Sequence, residues 1–470
     1  MTARRWVIAL KLTAGAALVQ PPTDEVAQAS AGGFVLAGAA AGLKMPVFQI
    51  SGKARTVAEA LHVQEMPNGM TVVGQPMEQV SSAALSLLVP AGSAHDPTGT
   101  EGAAMIASEW CLRGAGSRDT RQLNEALDSL GCQHHEHVHG GHIQFSAALL
   151  GSNLSAALGI YADIVRRPRL EDATFEPCRA LAVQDLASLE DEPAQKCTLL
   201  LRERFYPYPL GRCPYGTPQS LAAMTPAAIR QTVAEGFTPA GAILAVAGKY
   251  DWNSLCTTVA QSFGDWSGPA RRWPKAEPAI GGADHLAKSS AQVHIAMAHP
   301  AVPMSDPRYY AARLAETVLS GGMSSRLFTE VREKRGLVYH VSCHYHCLKA
   351  YAGMFTYAAA VPAKGQATLE VTAGEIRRLA EGIEDEEMDR ARTQLKSALV
   401  MMGESTIARA AALASDWYHL GRLRPLDELS EAIERVGKEE VLAYARDFSP
   451  KRFTVLVIGP EALDVGAVMS

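Results

Sequence analysis

The pattern of residues 83–247 returns in the same order over residues 291–458, and a chain that repeats itself in this way folds as two like units. The apolar strand expected over 83–89 has its match at 291–298. Helical periodicity over 103–112 is matched at 309–319, the Gly114 turn by Gly321-Gly322, and the helix over 154–165 by one over 367–379. Glu171-Asp172, opening a long helix to 189, has its counterpart in Glu384-Asp385. Thr225 and Pro226, an N-cap and first-turn proline ahead of a strand at 242–247, correspond to 437–444 and the strand 453–458. Pro67-Asn68-Gly69 between apolar runs predicts a hairpin, 120–130 another helix, and 133–150 a strand pair.

Helices and strands without strict alternation predict an α+β fold of two homologous domains, each an antiparallel sheet packed with helices. A length of 470 residues suits two domains of about 200 residues each and a leader. The divisions fall at 1–60 (leader), 61–267 (first domain), 268–284 (a linker rich in Pro, Gly, Arg and Lys) and 285–470 (second domain). With 47% hydrophobic residues, 20% charged and a net charge of -5, the chain has the apolar content for sizeable cores and no basic excess for nucleic acid. Its eight cysteines lack paired zinc-ribbon spacing, which fits buried free thiols in a reducing, cytoplasmic setting. Arg4 and Arg5 precede an apolar run over 6–19, interrupted by Lys11, and Ala27-Gln28-Ala29 offers a cleavage site, so export to the periplasm or organelle targeting is the alternative. The second apolar stretch, 33–43, is too short to span a bilayer, and no integral membrane segment is expected.

Chemistry concentrates in residues 321–339. Two glycines make a turn, Ser324 or Ser325 caps a helix, Gly336 stops it, and a strand begins near Leu337. Arg332 near the helix end and Tyr339 entering the strand can converge on one point, where a guanidinium and a phenol hold a peptide carbonyl and the oxyanion it becomes. Spacing alone favours a structural reading, with Arg332 capping helix carbonyls and Tyr339 half-buried in its strand. From about residue 62 onward the chain resembles the insulinase and pitrilysin family of inverted-zincin metallopeptidases, in particular the two-domain branch that includes the mitochondrial processing peptidase. In that family an Arg and a Tyr at this spacing bind substrate and assist at the zinc. Arg332 and Tyr339 match those positions. The resemblance implies two halves closing in a clam-shell-like chamber around substrate.

It also implies a zinc helix with H-x-x-E-H, two His ligands and a Glu that activates water. Aligned on Gly102 and Gly114, those positions hold Met105, Ser108 and Glu109, and the family's third ligand, on a later helix before Glu190-Asp191-Glu192-Pro193, falls on Asp185. A thioether and two carboxylates make a poor zinc set, and no base stands at 108. No metal is therefore expected in this chain. The resemblance then implies a noncatalytic subunit of a heterodimeric peptidase, with Arg332 and Tyr339 acting in trans at the zinc of a homologous partner on a peptide or unfolded-protein substrate. A pseudopeptidase scaffold or peptide-binding protein is the alternative. A third reading puts a metal at the histidine run 134–142, where His135, His137 and His139 share a strand face. In residues 343–347 strand alternation sends the cysteines and histidines to opposite faces, which favours buried thiols over a metal site.

Overall fold

The computed structural model describes residues 60–469. The expected leader and its targeting signals lie outside the described residues. Two sheets, each with its own helical layer and apolar core, form one compact unit. In the first, the strands lie in the order Gln133–Val138, Ile143–Leu150, Ser82–Val89, Ile243–Gly248, Thr71–Pro76 and His62–Glu65. The second has the order Val338–Cys347, Ala352–Ala360, Val293–Ala301, Thr454–Gly459 and Ala283–Ala287. Apart from the added outer strand His62–Glu65, the two orders correspond strand for strand.

Both sheets are antiparallel except for one pair each. Thr71–Pro76 runs parallel to Ile243–Gly248, and Thr454–Gly459 parallel to Ala283–Ala287. In each case the partners are joined only after the chain has crossed through the helices, the long connection that a parallel pair requires. The predicted hairpin forms at Pro67-Asn68-Gly69, with Gly69 at φ +86°, a left-handed conformation that favours glycine. Thr225 caps the Pro226–Gly236 helix through its hydroxyl, 3.3 Å from the Ala228 amide. Residues 264–282 carry no helix or ladder strand.

One exchange joins the two halves. The Pro193–Phe205 helix leaves the first sheet and covers the open face of the second, where Cys197, Leu201 and Tyr206 pack on Ala296, Phe355 and Leu456. Its counterpart, Thr406–Leu420, lays Ala410, Leu413 and Ala414 on Val73, Leu88 and Ile243 of the first sheet. The central strands are buried on both faces, which accounts for their unbroken apolar runs. Among the described residues no helix is long and apolar enough to cross a membrane.

Candidate functional site

Residues 321–339 are held by a polar frame. A side chain at Gly321 would collide with Gln394 and Thr317, so the turn needs glycine there. The helix opens directly after Ser325, one of the two expected N-cap positions, with no hydroxyl bond from either serine among the described residues. Ser325 instead contributes its backbone, its amide bonding Gly322 O at 3.0 Å and its carbonyl accepting from Thr329 N at 2.9 Å. Those main-chain bonds close the entry turn without the hydroxyls. Arg326 then grips Glu387 with two bonds of 2.7 and 2.6 Å and reaches Gly382 O at 2.6 Å, and Glu330 pairs with Lys334 and Arg335. Beyond Leu327 the helix widens into a π-turn over Phe328–Glu333, a form that recurs at functional sites, and Gly336 at φ +55° ends it as expected.

Arg332 is exposed, its guanidinium carbon 4.8 Å from the Phe328 ring centre. Tyr339 occupies a bulge: Val338 stands opposite Ala360 and His340 opposite Ala359, so Tyr339 has no cross-strand partner. The bulge turns Tyr339 and His340 outward in succession, leaving Tyr339 72% exposed. No hydrogen bond or ring contact joins Arg332 to Tyr339 among the described residues. Burial first, then the charges of His344 and Arg332, hold the pKa of neighbouring His340 down. Arg326, Glu387 and the bulge escaped the sequence reading, because both depend on partners distant in the chain.

The degenerate metal positions divide. The Ala103–Trp110 helix is anchored by Asp96, whose carboxylate accepts from Gly102 N at 2.9 Å and Ala104 N at 3.0 Å. Met105 packs against the first core, and buried Ser108 donates to Met105 O at 2.8 Å. Glu109 and Asp185 lie within electrostatic range of each other. Burial and then the Glu109 charge raise the Asp185 pKa. Glu109, however, is already ion-paired to Arg113 one turn along. With the thioether in the core, the hydroxyl committed to its own helix and one carboxylate neutralised by an arginine, these residues do not fit zinc. Among the described residues no three His, Cys, Asp or Glu side chains are placed to hold a metal.

The histidine run divides. His134 pairs with Glu136 at 3.0 Å, while His139 meets His137 edge-on and His142 at a tilt, with ring centres 4.4 and 4.5 Å apart. All eight cysteines are free, with Cys343 buried and Cys347 half-buried.

Duplicated mixed sheets with a metal-type helix at the edge of the first define a metallopeptidase-like architecture. Two models of one family match the chain, "Insulinase (Peptidase family M16)" over residues 71–217 and "Peptidase M16 inactive domain" over 223–395. The chain belongs to the insulinase family. An uncharacterised zinc protease of Mycobacterium tuberculosis is 29% identical over 406 residues, covering 84% of this chain and 92% of the relative. One of Rickettsia felis is 26% identical over 414 residues, with 86% and 99% covered. Of solved structures, a peptidase M16 inactive domain from Pseudomonas fluorescens superposes with a TM-score of 0.79 at 20% identity, over 86% of this chain and 99% of that one. A chain of complex III2 from Candida albicans does so at 0.76 and 16%, over 87% and 98%.

Proposed function

We propose that this chain is the noncatalytic subunit of a heterodimeric insulinase-family endopeptidase, placing Arg332 and Tyr339 on a peptide held at the zinc of a homologous partner. The observation that carries the reading is the contrast between the two sites. Met105, Ser108 and the Glu109–Arg113 pair fill the metal positions with groups unsuited to zinc, while Tyr339 is set on a bulge, exposed and without a hydrogen-bond partner among the described residues. A phenol kept free in this way can donate to an oxyanion that develops elsewhere, and such a donor adds to turnover because it acts on the transition state. The zinc-protease names of the relatives support a peptidase-family setting for this reading.

The test is a peptidase assay with zinc analysis on this chain, on a homologue with intact H-x-x-E-H, and on their mixture. Activity and zinc are expected in the mixture at a rate above that of either chain, and Tyr339→Phe lowers that rate by roughly tenfold to a thousandfold. Zinc and activity in this chain alone would overturn the reading. A mixture indifferent to Tyr339→Phe would leave the alternative, a pseudopeptidase scaffold or peptide binder.

A further inference from the structure

A row of rings crosses from one half of the molecule to the other. The two outer strands of the first sheet are joined by the turn His139-Gly140-Gly141-His142, which the His139 amide closes by donating to His142 O at 2.8 Å. His139 meets His142 across that turn with ring centres 4.5 Å apart, His142 meets Tyr418 at 4.7 Å, and Tyr418 meets His419 at 4.9 Å. The last two residues end the Thr406–Leu420 helix, which comes from the second half of the chain. The approach is close, since a side chain at Gly141 would run into the Tyr418 hydroxyl and into the Trp273 ring of the linker. One short turn of the first sheet therefore holds the end of a helix from the other half and a residue of the linker.

The contact contains imidazoles but no free acid. His142 Nδ1 is shut off from solvent without a hydrogen-bond partner. His139 Nε2 is bonded to Gln144 Oε1 at 3.1 Å, and His419 Nδ1 lies 4.0 Å from the Cys347 sulfur. The carboxylates nearest in the chain are taken: Glu136 by His134 at 3.0 Å, and Asp416 by Arg424 at 2.6 Å. The other titratable neighbours are imidazoles again, His137 at 4.4 Å from the His139 ring, His346, and His95 at 5.4 Å from the Trp273 ring. Lys349 sets its Nζ 5.5 Å from the Tyr418 ring centre, and the charges of Arg202, Arg271 and Arg424 also oppose protonation of these histidines.

A ring so placed is held neutral. Burial above all pushes the His139 pKa down to about 3 and that of His419 to about 4, and holds His142 well below the ordinary value. A histidine released to water takes up its proton near pH 6.5. Separation of the turn from the helix is therefore coupled to proton uptake between that pH and the lowered values, so the closed form is fully favoured above about pH 6.5 and loses ground as the pH falls. Each ring that charges on opening favours the open form about tenfold more at pH 5.5 than at pH 7.5.

We propose that this row is an acid-sensitive latch between the halves: when His139, His142 and His419 take up protons, the turn of the first sheet lets go of the Thr406–Leu420 helix end and of the linker. The latch needs no partner chain and no peptide, so its fate is independent of the peptidase assay.

Hydrogen exchange on the full chain, expressed as protection factors at pH 7.5 and pH 5.5, tests it. The amides of Ser93, Ala94 and His139 report on the turn, because they donate to His139 O, Gly140 O and His142 O. Their protection is expected to fall by about a hundredfold or more at pH 5.5, while that of the central strand Val293–Ala301 changes by less than about threefold. His142→Gln combined with His419→Gln removes most of the fall. If that double variant does not fold, either single substitution takes about tenfold out of it. Equal protection of the turn at the two pH values, a fall shared by Val293–Ala301, or a fall that survives the substitutions would overturn the latch.

Discussion

Glu109 and Arg113 stand one helical turn apart, and their ion pair supplies from within the chain the positive charge that a metal would bring to the Glu109–Asp185 corner. The replacement of donor residues was readable from Met105, Ser108, Glu109 and Asp185 alone. That Glu109 had acquired its own cation was equally visible as an i,i+4 pair, yet spacing does not say which of a helix's exposed pairs forms. At the second site Arg332, Tyr339 and the Gly336 stop were legible beforehand, because glycine punctuation is local. The bulge that exposes Tyr339 depends on register against Ala359 and Ala360, and the frame that holds the segment depends on Glu387, 61 residues from Arg326. Removing one member of that frame exposes its energetics. Arg326 and Glu387 have side chains 8% and 17% accessible, so Arg326→Ala leaves a nearly buried carboxylate without its partner and should cost about 3–5 kcal/mol. Replacing both by apolar residues should cost much less, and urea denaturation of the single and double variants measures the difference. Tyr339→Phe, by contrast, should stay within about 0.5 kcal/mol of the native chain, so that any loss of rate in a mixture is not a loss of fold.

Among the elements, the two exchanged helices decide how the halves are joined, and they are the ones that the sequence reading passed over. Local periodicity found the strands and the helices that pack on their own sheet. It missed Pro193–Phe205 and Thr406–Leu420, whose apolar faces meet strands in the other half. A signal was present in the strands. The runs at 83–89 and 242–247 are apolar at nearly every position, the composition of a strand covered on both sides, and the first half has no second helical layer to spare. What occupies that face is set by a contact between residues more than 150 apart, which no local window carries. The cover has a measurable weight. Leu413 is fully buried between the Thr406–Leu420 helix and the first sheet, so Leu413→Ala should destabilise the chain by about 2–5 kcal/mol in urea denaturation. Val400→Ala, on a helix of the same half but 60% exposed, should change it by no more than about 0.5 kcal/mol.

At the scale of the molecule, reciprocal exchange makes each half incomplete without the other. Were the second half removed, Ala84, Leu88 and Ala245 would lose the helix that covers them, and without the first, Ala296, Phe355 and Leu456 would be bared in the same way. The duplication in the sequence predicted two like units, but a duplicated pattern is equally compatible with beads on a string, and only the crossing helices turn it into one body. Covalent continuity through the proposed linker is then dispensable once folding is complete. The stretch between Lys275 and Ala276 is exposed and free of helix or ladder strand, which makes it a place where an inserted protease site should be tolerated. After cleavage there, the two fragments should elute together at the size of the intact chain and unfold in a single urea transition, because the apolar faces of both helices remain sealed against the opposite sheets. Adding Leu413→Arg, which drives a charge into one of those seals, should release the fragments from each other. Two fragments that separate without that substitution and stay folded alone would mean that each half closes its own sheet in solution, and that the exchange does not hold the molecule together.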